Sequence, residues 1–305
     1  MNLNSVTSRL IFCSGLCGLL GSLSAADLTS VMVAGASLQR VVEDCKFTEG
    51  PAADTQGNVY FTDQPNDRIV KIAVDGSVSD FMKPAGRSNG LFFAPDGKLI
   101  ACADEHNQMW AIDCSDGSHQ ALFDKYQGAK LNGPNDVWVH PNGVMFFTDP
   151  FYKRPWWKHS EPPQDVQALY RVDADRATVQ REPEPFKQPN GIVGDAKRGL
   201  LFVADIGDKK TYQYPLAADG TLGSRTLFCN EGSDGMTLDD AGNLYLTGRG
   251  VSVFQPDGTK LGVIEVPENW TANVCFGGPD HQTLFITASD SVYTLKMKTR
   301  GISGP

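Results

Sequence analysis

A short motif recurs six times along the chain, each time just ahead of a strand-like run: Glu49-Gly50, Asn89-Gly90, Asn135-Asp136, Asn190-Gly191, Asp234-Gly235 and Asn273-Val274. The first members are separated by 40, 46, 55, 44 and 39 residues. Turn sequences such as DTQGN, APDGK, HPNGV, DAKRG and LDDAGN follow, and then segments of one type: VYFTD, LIACAD, VMFFTD, LLFVAD, LYLTG and LFITA. In those segments apolar residues alternate with small or polar ones, the period of a strand. No long 3.6-residue apolar stripe competes with it, and 31 Gly and 18 Pro supply the tight turns. A repeat of roughly 40–50 residues holding several strands is the signature of propeller blades. Six repeats predict an all-β chain, a six-bladed β-propeller of four-stranded antiparallel blades, as a single domain over residues 27–305. The 55-residue step contains an insertion, Phe151 to Gln167, rich in Pro, Trp and charge. Residues Ser37 to Phe47 are placed to add a strand to the sixth blade and close the ring.

The first strand of a propeller blade lines the central channel, so the six first members should converge near one mouth. They read Glu, Asn, Asn, Asn, Asp, Asn, six side-chain oxygens of which two are anionic. Asn and Asp also start turns, but Glu49 before Gly50-Pro51 has no turn-forming reason to be there. Hard oxygen donors with two carboxylates suit one divalent cation, Ca²⁺ first, with Mg²⁺, Mn²⁺ or Zn²⁺ behind it. Without a cation the two carboxylates repel, and one is expected to hold a proton.

The N-terminus reads as a segment to be removed. Residues 1–8 carry no acid, Arg9 supplies the positive end, Leu10 to Leu23 is apolar and small, and Ser24-Ala25-Ala26 offers a cleavage site. Residues 1–26 are therefore expected to be a signal peptide cleaved near Ala26, with the protein exported to the periplasm or beyond. No later stretch has the ~20 apolar residues of a membrane-spanning helix. A net charge of −9 excludes nonspecific nucleic-acid binding, which needs a basic footprint. Five cysteines remain after cleavage, Cys45, Cys102, Cys114, Cys229 and Cys275, an odd number that leaves at least one thiol unpaired within the chain. Cys102 and Cys114 flank the turn sequence DEHNQ, and either a disulfide or two unpaired thiols fits them. No CxxC supports a zinc or thioredoxin-type site. The run Gly86-Arg87-Ser88-Asn89-Gly90 matches the nucleophile elbow of serine esterases, but strand-like Leu91 to Ala94 follows where that motif requires a helix.

Four motifs, FTEGPAADTQGNVYFTD, LNGPNDVWVHPNGVMFFTDPFY, QPNGIVGDAKRGLLFVAD and SDGMTLDDAGNLYLT, resemble the family of gluconolactonases, senescence marker protein and luciferin-regenerating enzyme, with LNGPNDV and FTDPFY closest to its bacterial branch. The resemblance implies a six-bladed propeller with one divalent metal at the channel mouth. Carried over by motif, the ligands are Glu49, Asn190 and Asp234, with Asn135 facing the same site to contact metal or substrate. It also implies metal-dependent hydrolysis of a gluconolactone-like sugar lactone, the metal polarising the carbonyl attacked by water. A non-catalytic, metal-dependent ligand-binding propeller, or a hydrolase of a related ester or sugar acid derivative, is the alternative. Asp234 is the favoured proton acceptor, with Asp136 second because strand alternation should turn it away from the channel. Asn89 joins Asn135 as a substrate contact. Phe151, Tyr152, Trp156 and Trp157 either stack on a sugar ring, with Trp156 and Trp157 the substrate contacts, or pack their loop on the blade edge. Animal members place a substrate-gripping Arg two residues before the PND Asn; here that position is Gly133.

Overall fold

The computed structural model describes residues 27–302, so the expected signal peptide lies outside the described residues. Six four-stranded antiparallel sheets follow one another along the chain. Their innermost strands are Thr48–Ala53, Ser88–Phe93, Val137–Val139, Pro189–Asp195, Met236–Leu238 and Thr271–Gly277. Gln39–Val42 pairs antiparallel with Ser291–Lys296 and completes the sixth blade, so the first and last strands of the described residues share one sheet. The strand predicted between Ser37 and Phe47 is there, shortened to four residues. The insertion Phe151 to Gln167 connects Met145–Asp149 to Ala168–Val172 without regular structure. Among the described residues no helix is long and apolar enough to cross a membrane.

The core lies between blades. Trp138 of blade three packs with Phe146, Ile192, Leu201 and Phe202, and its ring lies against Gly194 of blade four, where a Cβ would come within 2.5 Å of it. Burying such apolar faces against neighbouring blades is the dominant favourable term, at roughly 25 cal/mol per Å².

Three recurring devices hold the first members of the motif in place. The first is an Asp at the end of a blade's second strand, which accepts hydrogen bonds from the backbone entering that same blade's first strand. Asp63 takes Lys46 N (2.9 Å) and Phe47 N (3.4 Å), Asp149 takes Asn132 N (2.9 Å) and Gly133 N (2.8 Å), and Asp205 takes Lys187 N (2.8 Å) and Gln188 N (2.9 Å). In each case the donors stand three and two residues before Glu49, Asn135 or Asn190. The second device is the recurring Thr beside that Asp, whose hydroxyl donates across to the next blade: Thr62 to Asn89 O (3.0 Å) and Thr148 to Asn190 O (2.6 Å). The third is the glycine of the motif. A Cβ at Gly50 would meet Asn89 O at 2.1 Å, at Gly90 Asn135 O at 2.6 Å, and at Gly191 Asp234 O at 2.4 Å. The inner strands therefore approach one another backbone to backbone, and a side chain at those positions would force the ring open.

The cysteine alternatives resolve to thiols. Cys102 is paired across the hairpin with Met109, and Ile112 is already opposite Leu99, so Cys114 lies at the far end of the ladder. All five cysteines of the described residues are unpaired. Ser88 sits within an innermost strand, and its buried hydroxyl donates to Ala85 O at 2.6 Å. The elbow reading therefore has no geometry to support it.

Candidate active site

Glu49, Asn89, Asn135, Asn190, Asp234 and Asn273 are all buried at the channel. Four of the six lie inside their first strands, and there the pairing with the second strand breaks register: between Glu49 and Ala52, Ser88 and Leu91, Pro189 and Ile192, and Thr271 and Asn273. Such bulges bend a strand and re-aim side chains. Asn135 and Asp234 stand just ahead of strands that begin at Val137 and Met236.

The two carboxylates sense each other. The carboxyl of Glu49 is held well above the usual carboxylate range, first by burial and then by the charge of Asp234. Its only direct hydrogen-bond partner among the described residues is Gly50 N, at 3.2 Å. Burial pushes Asp234 up to about 6, opposed by hydrogen bonds from Trp270 and Asn190 and by the charge of Arg154. The Trp270 indole N–H donates to Asp234 Oδ2 at 2.5 Å. Asn190 Nδ2 donates to the Tyr152 hydroxyl at 2.9 Å. The side chains of Asn89 and Asn135 make no hydrogen bond among the described residues and remain available to a ligand.

Asp136 lies in the channel wall rather than turned away from it. No regular strand precedes Val137, so alternation does not operate at this position. Its Oδ1 accepts from Val137 N (3.0 Å) and its Oδ2 from Ile192 N of the next blade (3.2 Å). Burial pushes it up to about 7, with those two backbone bonds and the Asn273 side chain opposing and Asp234 adding to the rise. A cavity of about 700 Å³ runs from Asp136 and Asn273 along Val137, Ile192 and Met236 to the turns at Gln56, Gly97 and His281. Those turns join first to second strands, so this cavity opens at the mouth opposite Glu49, Asn190 and Asp234.

The insertion covers the near mouth. Trp157 donates its indole N–H to Asp104 O (2.8 Å), stacks on His159 with centroids 4.7 Å apart, and fills the space over Gly133. That is the loop-packing alternative, realised for Trp157. The Trp156 ring contacts two guanidinium groups, that of Arg87 at 4.8 Å and that of Arg154 at 5.7 Å. From the insertion it is Tyr152 that reaches the ring of oxygens, through Asn190. Two residues at the mouth, Trp270 and Arg154, carry no sequence signal: each lies in a connection outside the repeated motif, with no spacing to mark it.

The residues that would hold a cation are the two desolvated carboxylates with the carboxamides of Asn135 and Asn190. Among the described residues no three His, Cys, Asp or Glu side chains form a metal cluster, so a cation here depends on the amide oxygens. Two neighbouring buried carboxyls with raised pKa values, all-oxygen donors and the unpaired Asn135 side chain fit a hard divalent cation.

Comparison with known proteins agrees with the propeller fold. The model of the SMP-30/gluconolactonase/LRE-like region matches residues 47–290. A gluconolactonase of Zymomonas mobilis subsp. mobilis is 29% identical over 304 residues, covering 90% of this chain and 85% of that protein. A 6-deoxy-6-sulfogluconolactonase of Pseudomonas putida is 31% identical over 233 residues, covering 70% of this chain and 73% of its own. Among solved structures, a gluconolactonase from Xanthomonas campestris superposes with a TM-score of 0.81 at 27% identity, covering 87% of this chain and 91% of that one.

Proposed function

The chain belongs to the SMP-30/gluconolactonase/LRE-like family, and from that membership and the mouth just described we propose that it hydrolyses sugar lactones to the open-chain acid with the help of one divalent cation. The observation that carries the reading is the buried pair Glu49 and Asp234, with the Asn190 side chain hydrogen-bonded to Asp234. Glu49, Asn190, Asp234 and Asn135 would hold the cation, with Ca²⁺ favoured by the all-oxygen donor set. A divalent cation bound there supplies Lewis-acid polarisation of the lactone carbonyl and a more acidic water.

The chain's own residues do the rest. Asn89 and Asn135 present amide groups to the substrate at the mouth. Asp234 is the favoured acceptor of the water's proton by family resemblance. Its carboxylate would be a weaker base beside a bound cation, which suffices only if the water is acidified by the same cation. Asp136 is the alternative, and its place in the channel wall keeps it in contention. The Trp270 N–H bond fixes the Asp234 carboxylate in orientation. Tyr152 does the same for the Asn190 carboxamide. The insertion over the mouth limits access of bulk water, which strengthens every electrostatic contact beneath it.

A non-catalytic binding propeller would need the cation but no proton acceptor. Titrating acid release from a panel of sugar lactones and aryl esters at constant pH separates the readings. The proposal expects turnover of five- or six-membered sugar lactones above that of aryl esters. An inert protein that still binds sugars would establish the binding module instead. The expected destination, periplasm or exterior, rests on residues 1–26 and is tested by sequencing the N-terminus of the exported protein for a start at Asp27.

A further inference from the structure

Blade two carries the same Asp as blades one, three and four but does not use it as their clamp, and the difference leads to the mouth. Asp104 occupies the repeat position of Asp63, Asp149 and Asp205, but it does not receive the backbone of Gly86 and Arg87. Asp67 does that work, accepting from Ala85 N (2.9 Å) and Arg87 N (2.7 Å). Asp104 is left with Gln64 Nε2 at 3.1 Å and Arg154 Nε at 2.8 Å on its Oδ2. Its side chain is 1% exposed and that of Arg154 19%. A buried carboxylate freed from the repeat thus anchors a cation from the insertion.

The anchor uses only one of the five N–H donors of Arg154. Its two terminal amines make no hydrogen bond among the described residues. The guanidinium stands 5.3 Å from the Tyr152 ring, whose hydroxyl holds Asn190. Its positive charge is felt at both Glu49 and Asp234. Pinning the loop does not require this arrangement, because Trp157 already ties it to Asp104 O. A planar guanidinium held at Nε presents its remaining donors as a rigid fork suited to paired oxygens.

We propose that Arg154 is a substrate-binding residue whose terminal amines donate to neighbouring hydroxyl oxygens of the sugar lactone, with Asp104 as the positioning residue that aims it. The proposal rests on the lactonase reading and adds the part of the substrate that is recognised. It predicts selection for hydroxylated lactones over plain ones of the same ring size.

The test compares glucono-δ-lactone with δ-valerolactone, which has the ring and ester but no hydroxyls, using wild type, Arg154→Gln and Arg154→Lys. Losing charged hydrogen bonds to substrate should raise the KM for glucono-δ-lactone about tenfold or more. The same change should weaken inhibition by gluconate, and the shift for δ-valerolactone should be at least tenfold smaller. Arg154→Lys should fall between, keeping the charge and losing the fork. If Arg154→Gln fails to fold because Asp104 is stranded, the Asp104→Asn/Arg154→Gln pair removes the stranded charge and carries the same expectation. Equal shifts for both lactones, or none for either, overturn the proposal while leaving a lactonase. A wild-type protein that turns over neither lactone removes the parent reading and this inference with it.

Discussion

Replacing Gly191 with Ala puts the close approach of the inner strands to a test of sign. Gly191 lies outside the left-handed backbone region, so Ala is allowed there by its dihedrals. If the glycine were only a source of chain flexibility, Ala would stabilise the protein by about 0.4–1 kcal/mol through the unfolded state. The structure says otherwise. The new Cβ would lie 2.4 Å from Asp234 O and 3.1 Å from the Gly235 Cα. Ordinary contact starts near 3.4 Å, so blades four and five must separate by about 1 Å at a backbone carbonyl that cannot rotate away. Overpacking of this kind costs about 1–3 kcal/mol, and each kcal/mol lowers Tm by about 2–4 °C for a domain of this size class. Gly235→Ala is the control, because its Cβ meets the Asn273 carboxamide. That side-chain end can turn at the loss of its bonds to Val274 N and Asp136, which a backbone carbonyl cannot. Urea unfolding of both variants, read at constant m, should place Gly191→Ala below wild type and below Gly235→Ala. A Gly191→Ala protein as stable as wild type, or more so, would refute the close-approach account of the motif.

Glu49→Gln should fold normally yet retain less Ca²⁺ after dialysis, measured by elemental analysis, because one of two anionic donors is gone; undiminished metal content would count against the donor assignment. Asp234→Asn, compared with Asp136→Asn at saturating cation, should lose about 10²–10⁴ in rate, and the reverse ranking would transfer the proton-accepting role to Asp136. Burial pushes Asp149 up to about 7, so the folded state keeps a proton that the unfolded chain loses near pH 4; that stability is complete below pH 4 and lost as pH rises through 7. Thermal melts of metal-free protein should therefore fall between pH 5 and pH 8, and Asp149→Asn, which mimics the protonated acid, should flatten the slope; an unchanged slope would show that Asp149 does not titrate in this range.

The fold was legible because each blade repeats its chemistry. Asn-Gly and Asp-Gly mark the first strands for a physical reason the sequence only hints at, the backbone contact of adjacent blades at Gly50, Gly90 and Gly191. The Thr-Asp pair closing VYFTD and VMFFTD reads in sequence as a strand end, but its work is done across space, on the backbone before Glu49 and Asn135 and on the next blade's carbonyl. What sequence could not supply lies off the repeat. The direction of Asp136 followed from alternation until the late start of the strand at Val137 removed the basis for it. Trp270 and Arg154 reach the mouth from connections of irregular length, where no period predicts a direction. The indole of Trp157 was a fair stacking surface by composition, yet Gly133 leaves a hollow that it fills. Cys102 and Cys114 flank one turn at unequal distances, and the ladder register between Leu99 and Ile112 keeps them apart.

The central claim is that two carboxylates and two carboxamides at one mouth hold a cation used to open a lactone ring. The most direct measurement is hydrolysis of glucono-δ-lactone at constant pH by the purified protein, first stripped with chelator and then resupplied with Ca²⁺ or Zn²⁺. The account predicts that turnover above the spontaneous rate disappears on stripping and returns with the cation, and that Glu49→Gln needs more cation for the same recovery. Turnover that survives complete removal of metal, confirmed by elemental analysis, would contradict it.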